Sequence, residues 1–394
     1  MFTVETLKNI FIGDLADFFK EKEVKGRSVR TQADPLGDRY EKFLTVITEE
    51  ISSPNGAFIE QEISDFLFEK LFYDNNNYEF ILKLSNCFAT NMTKQSDAQK
   101  YLQSNSSLKF NETLTTVINF SSKYELCTTR LECKSDKVIA IHLLVRLGTV
   151  KENLGDINFF TGITIDLENN LVVIRMPFRQ LELFEKEPLV LLKEIKDMLS
   201  GYGAAGNDFK PIKLKVSSLD EDTASRVIFK LYQELSSEAE ALLNSRILEG
   251  TEEKIKKFLN TMGISVVKDE YLEQIKAVIY QDIAKSINPS LFKKGWIFRF
   301  DFREGDHTRA TSKHEERGPI YSSKTYWQLK ELIYGEETMH EAGFHWKIPG
   351  TTEFVDVKII ARNDTIIVHY YYKMRNARKE KDEFVIRKIA EHIS

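Results

Sequence analysis

The sequence predicts an α+β protein: an N-terminal helical bundle, then two antiparallel β-sheet-plus-helix modules joined by a helical segment. Three observations predict it. The hydrophobic period is about 3.6 in the first hundred residues and again at about 220–286. It changes to two at about 110–177 and after Asn288-Pro289. The two β-rich stretches also align with each other at an offset of 194 positions. Asn169 then falls on Asn363, Leu171 to Ile174 on Thr365 to Val368, and Leu191, Leu192, Ile195 and Leu199 on Val385, Ile386, Ile389 and Ile393. That alignment reads as an internal duplication. The predicted boundaries are a helical domain at 1–106, a first β-rich module at 107–219, a helical connector at 220–290 and a C-terminal α+β module at 291–394.

Taken in order, VETLKNIFIGDLADFFKEK, DRYEKFLTVITEEI, IEQEISDFLFEKLFY and YEFILKLSN are assigned as four amphipathic helices, punctuated by Pro54-Asn-Gly and Asn75-Asn-Asn. Acids run through the first of them, so it reads as an amphipathic helix and not as a signal peptide. ELCTTRLECK, KVIAIHLLVRL, FTGITIDL and LVVIRMP are assigned as strands, with Glu168-Asn169-Asn170 turning between the last two. PLVLLKEIKDML opens with Pro188, acceptable in a first helical turn, and stops at Gly201. PIKLKV is a further strand, and Asp220 or Asp222 caps the long helix after it. Beyond Pro289, GWIFRFDF is a strand, 301–321 a polar loop, and SKTYWQLKELIY a helix. AGFHWKIP, EFVDVKIIA and TIIVHYYYK are strands, and EFVIRKIAEHI is the last helix.

Composition bounds the function class. Apolar residues make up 42% and charged residues 29%, as in soluble globular proteins. No apolar run approaches the ~20 residues of a membrane span, so no membrane partner is expected. Three scattered cysteines, Cys87, Cys127 and Cys133, are too few for a disulfide framework or a tetrahedral zinc site, and point to reduced thiols in the cytoplasm. Heavy use of Lys, Glu, Asn, Ile and Phe resembles AT-rich bacterial genomes or their prophages. The net charge of −5 argues against indiscriminate coating of nucleic acid, yet residues 291–394 carry 19 Lys and Arg against 16 Asp and Glu. The C-terminal quarter is mildly basic on an acidic body.

The same quarter concentrates the chemistry. All three tryptophans and six of the seven histidines lie at or after Trp296. The candidate ligand-binding residues are Arg299, Arg303, His307, Arg309, Lys313, His314, Arg317, Tyr321 and Trp327. Guanidinium forks bind phosphate bidentately, and aromatic rings stack on bases. The expected ligand is therefore nucleic acid or another phosphate-bearing molecule. A solvated loop with internal salt bridges explains the same residues, since Glu304, Asp306, Glu315 and Glu316 offset much of their charge.

Two other classes stay open. A metal-dependent nuclease or phosphohydrolase could draw on His307, His314, His340 and His345 with neighbouring acids, or on Glu132-Cys-Lys134, the ExK half of a nuclease pattern whose second acid would be Glu112 or Glu125. The HExxH zinc motif itself is excluded: His340 and His345 are five apart, about 140° around a helix. Gly201-Tyr-Gly203-Ala-Ala-Gly206 spells GxGxxG but follows a helix and precedes a strand, the reverse of a dinucleotide site. No cofactor and no catalytic residue are predicted. The last class is a protein-interaction scaffold, with a partner or a second copy held through the N-terminal helices.

Overall fold

The computed structural model describes residues 2–24, 36–92, 94–116, 124–184, 186–203, 205–217, 219–304, 308–371 and 376–393. The chain divides into two compact units, Met1–Ser218 and Leu219–Ser394, and its class is α+β. No helix among the described residues is long and apolar enough to cross a membrane.

The first unit opens with α1 (Val4–Leu7), α2 (Ile12–Glu21), α3 (Leu36–Ser52) and α4 (Glu60–Glu69), which runs into a π-helical turn at Lys70–Asp74. Strand β1 (Tyr78–Asn86) and α5 (Gln95–Ser104) follow. A meander of β2 (Glu125–Lys134), β3 (Lys137–Glu152), β4 (Gly155–Asp166) and β5 (Leu171–Met176) comes next. The unit ends with α6 (Phe178–Leu183), α7 (Pro188–Leu199) and the short β6 (Lys215–Ser217). The sheet order is β2-β3-β4-β5-β1, every pair antiparallel. The helices share their core with this sheet: Leu7, Phe19, Phe43, Ile47 and Phe72 pack in one cluster with Cys127, Leu144 and Phe160.

Two assignments change here. YEFILKLSN, assigned as a helix, is β1, paired residue for residue with β5 from Tyr78↔Met176 to Lys83↔Leu171. Phe80, Ile81 and Leu82 are all buried, and an apolar run covered on both faces fits either period, so pairing decides it. PIKLKV is strand only at Lys215–Ser217, because a 3₁₀ run at Ala205–Ile212 takes up its start.

The second unit begins with α8 (Glu221–Asn244), capped by Asp220, whose carboxylate accepts from Thr223 N at 2.8 Å. A helical hairpin of α9 (Thr251–Thr261) and α10 (Asp269–Ser286) follows. Then come β7 (Gly295–Glu304), β8 (Thr308–Lys313), α11 (Lys324–Glu336), β9 (Glu341–Lys347), β10 (Phe354–Arg362), β11 (Thr365–Tyr370) and α12 (Arg378–Ala390). The sheet order is β11-β10-β9-β7-β8, again antiparallel. Alternation sends Ile297, Phe300, Phe344, Val357, Ile359 and Val368 to one face, where α8 crosses the strands. The region 301–321, assigned as a loop, is largely hairpin: β7 continues to Glu304 and β8 returns along it in register from Glu304↔Thr308 to Arg299↔Lys313.

Each unit thus contains four neighbouring antiparallel strands followed by a helix, β2 to β5 then α7, and β7, β9, β10, β11 then α12, with β8 and α11 inserted between β7 and β9 in the second. Strands β5 (Leu171–Met176) and β11 (Thr365–Tyr370) have bounds 194 positions apart at both ends. The turns before them hold Asn170 at φ 55°, and Asn363 and Asp364 at φ 49° and 58°.

Candidate functional site

The polar face of the second unit's sheet follows from alternation. If Phe300 and Phe302 enter the core, then Arg299, Asp301 and Arg303 must point the other way. A bulge between the pairs Ile297↔Phe344 and Arg299↔Gly343 leaves Phe298 as the extra residue, buried beside Gly343. Cross-strand partners then lie on the same face in rows: Arg303 opposite Arg309, Asp301 between Thr311 and Glu341, and Arg299 between Lys313 and Gly343. From β10, Asp356 and Lys358 join them.

Three carboxylates on this face are buried, and each is held by a cation. Arg309 grips Asp301 through Nε at 3.1 and 3.2 Å and through Nη2 at 2.5 Å. Those bonds raise the pKa of the Arg309 guanidinium further above its ordinary value. Arg299 Nε meets Glu341 Oε1 at 2.5 Å, with Lys358 Nζ 3.8 Å from the other oxygen. Arg317 Nε lies 3.0 Å from Asp356, and His345 Nδ1 bonds the same carboxylate at 2.6 Å. The Nε contacts of Arg299 and Arg317 are close ion pairs without hydrogen-bond alignment.

A ladder of rings continues the face. Trp296 stacks on His345 at 3.8 Å, and His345 on Phe354 at 4.8 Å. The Arg317 guanidinium covers Tyr371 at 4.6 Å from the ring centre. Burial pushes the Tyr371 hydroxyl up and His369, beside Lys358 and Arg378, down to about 4.

The sequence-predicted residues divide accordingly. Arg299, Arg303, Arg309 and Lys313 come together on the two strands of one hairpin, and Arg317 stands over the adjoining strands. His314 turns onto its own backbone, its Nδ1 accepting from Gly318 N at 3.1 Å. Tyr321 and Trp327 belong to the interior: the Tyr321 hydroxyl lies 3.4 Å from Leu235 O, and Trp327 Nε1 donates to Tyr321 O at 2.7 Å. Their rings are buried because they fill the core beneath α8 and α10, where Trp327 stacks on Tyr280. His307 lies outside the described residues. Sequence reasoning passed over Lys358 and Phe354, although the alternation within FVDVK already assigns Phe354, Asp356 and Lys358 to one face.

A second polar cluster crosses the first unit's sheet beneath the π-helical turn. Glu79 and Arg175 are both buried at 3.7 Å, Arg175 donates to Thr164 at 2.7 Å, and His142 bridges Thr164 and Glu132 at 3.0 Å each. Glu132 is thereby engaged by His142, and Glu125 by Lys109 at 3.2 Å, so the ExK carboxylates are held by separate partners. Among the described residues no three His, Cys, Asp or Glu side chains gather as a metal-holding group. His340 instead lies 3.6 Å from Glu221.

No protein-family model matches the chain, and no curated protein matches it in sequence.

Proposed function

We propose that the polar face of the second unit's sheet binds a phosphate-bearing polymer, a nucleic acid, along the β7–β8 hairpin. One observation carries the reading. Arg303 lies directly opposite Arg309, and Arg299 opposite Lys313, so like charges face each other twice on neighbouring strands. Such pairs cost a sheet stability unless something neutralises them. Asp301 and Glu341 neutralise Arg309 and Arg299; among the described residues Arg303 and Lys313 have no ion-pair partner. A phosphate chain would supply the missing countercharge. Buried carboxylates that fix arginines whose side chains stay open, as Asp301 does for Arg309 at 63% exposure, leave guanidinium edges oriented toward an anion. The Trp296, His345 and Phe354 stack and Tyr371 add flat surfaces of the kind bases stack on.

The remaining parts of the reading rest on lesser observations. The free thiols of Cys87, Cys127 and Cys133 fit a reducing cytoplasm, and the residue usage fits a bacterial or prophage source. The 194-residue offset between β5 and β11 supports descent of the two four-strand sets from one ancestor.

The test is fluorescence anisotropy with labelled single-stranded DNA, single-stranded RNA and duplex, comparing the wild type with Arg303→Glu/Lys313→Glu. Both positions are exposed, so circular dichroism should be unchanged. Binding is expected to weaken at least about tenfold, and the salt slope to fall by about 2, because each of the two cations neutralises about one phosphate. Equal affinity and equal slope in the two proteins, or no binding by the wild type, would sink the proposal.

A further inference from the structure

The α9–α10 hairpin is built in an unusual way. Its own core consists of Ile255, Leu259 and Leu272, with Val267, Tyr271, Ile275 and Ile279 packed around them. Yet beside that core it exposes Phe258 at 59%, Met262 at 67% and Val266 at 78%. Phe258 and Met262 are four apart, one helical turn, so they form a single ridge together with Lys254 one turn earlier. Lys256, Lys257 and Lys268 are exposed around it. Contiguous exposed apolar residues ringed by charge mark an interaction surface.

The same unit carries a surface of opposite character. Between α10 and α11 lies a cleft of about 750 Å³, floored by Ala277, Val278, Tyr280 and Trp327 and rimmed by Asp269, Glu270, Glu273 and Glu331. Two lysines of α11 also line it, and Lys330 is tied to Glu240 at 2.9 Å. An apolar floor with an acidic rim is what a basic helix with an apolar ridge requires.

We infer that these two surfaces are halves of one interface, so that the α9 ridge of each copy enters the α10–α11 cleft of a second copy. Each protomer gives one ridge and accepts one, the isologous arrangement of a two-fold dimer. Phe258 and Met262 are the anchors, and Lys254 and Lys257 meet Glu270 and Glu331. An anionic lipid surface would also attract four lysines around apolar residues. It would leave Glu270 and Glu331, which unlike Glu273 have no ion-pair partner among the described residues, without a countercharge, which is why the second copy is favoured.

Sedimentation velocity over a concentration series tests the inference on the full chain. The wild type is expected to dimerise, and Phe258→Asp/Met262→Asp to weaken dimerisation at least about tenfold, as loss of a buried aromatic anchor does. Lys254→Glu/Lys257→Glu and Glu270→Lys/Glu331→Lys should each be monomeric alone and should form a mixed dimer when combined. All six positions are exposed, and the mixed dimer demonstrates folding of both charge variants. A wild type that stays monomeric overturns the inference, as does a dimer indifferent to these substitutions. So does a monomer that binds phosphatidylserine vesicles through Phe258.

Discussion

Arg309 and Asp301 face each other diagonally across the β7–β8 hairpin, joined by three contacts of 2.5 to 3.2 Å, and the carboxylate is almost wholly buried while the arginine is mostly exposed. The pair is therefore asymmetric. Removing the arginine strands a charge inside the sheet, whereas removing the carboxylate frees a cation that water can solvate. Arg309→Ala should lower stability, by less than the loss of a fully buried partner would, because the arginine is screened by solvent. A double-mutant cycle with Asp301→Ala, read by urea unfolding, should recover at least half of that loss. Additive losses would mean that the contact is incidental.

Gly343 is a position where the fold tolerates no side chain. A Cβ there would lie 2.5 Å from the Phe298 ring, which the bulge in β7 holds buried against it. Gly343→Ala is expected to lower stability by about 1–3 kcal/mol through overpacking. Gly343→Ala combined with Phe298→Leu should be less destabilised than the two single changes added together, as thermal melts of the four proteins would establish.

In the first unit, Glu79→Ala should be among the most damaging single changes. It leaves Arg175 buried beneath Phe72 and Tyr73 without its carboxylate, a defect worth about 3–5 kcal/mol. Glu79→Leu/Arg175→Met removes both charges and should regain most of that stability. Chemical denaturation distinguishes the outcomes: a double variant as unstable as Glu79→Ala would show that the pair's charges are not what matters.

Acid sensitivity is predicted at His369. Burial, with Lys358 and Arg378 nearby, pushes its pKa from 6.5 to about 4. Between those pH values the unfolded chain takes up a proton that the folded protein refuses. His369 therefore contributes stability that is present above about 6.5 and is lost as pH falls toward 4, up to about 2–3 kcal/mol. His369→Gln should flatten the stability profile over that window and leave it unchanged above pH 7. An unaltered profile would mean that the ring is protonated in the folded state.

Much of the fold was legible because its signals are local. Strands β2 to β5, the Asn turns, the Pro188 start of α7 and the Asp220 cap each follow from a few adjacent residues. YEFILKLSN was not legible, because Phe80, Ile81 and Leu82 are apolar in either period and only β5 makes them a strand. The hairpin at 295–313 was half legible: its aromatic arm alternates plainly, but TRATSK has no apolar pattern and owes its extended shape to pairing with β7.

By itself, the sequence determined the α+β class, the concentration of Arg, His and Trp in the last hundred residues, and which side chains share a face in strands with a plain alternation, such as Phe354, Asp356 and Lys358. All of these depend on identity and spacing along the chain. Tertiary structure alone decided which of those side chains stay open: it joined Arg309 to Asp301, Arg299 to Glu341 and Arg317 to Asp356, and sent Tyr321 and Trp327 inward. The physical reason is that a charge's environment depends on partners 8 to about 40 positions away, and no local pattern encodes strand register over that distance. The exposure of Arg303 opposite the anchored Arg309, and of Lys313 opposite the anchored Arg299, is a consequence of that register.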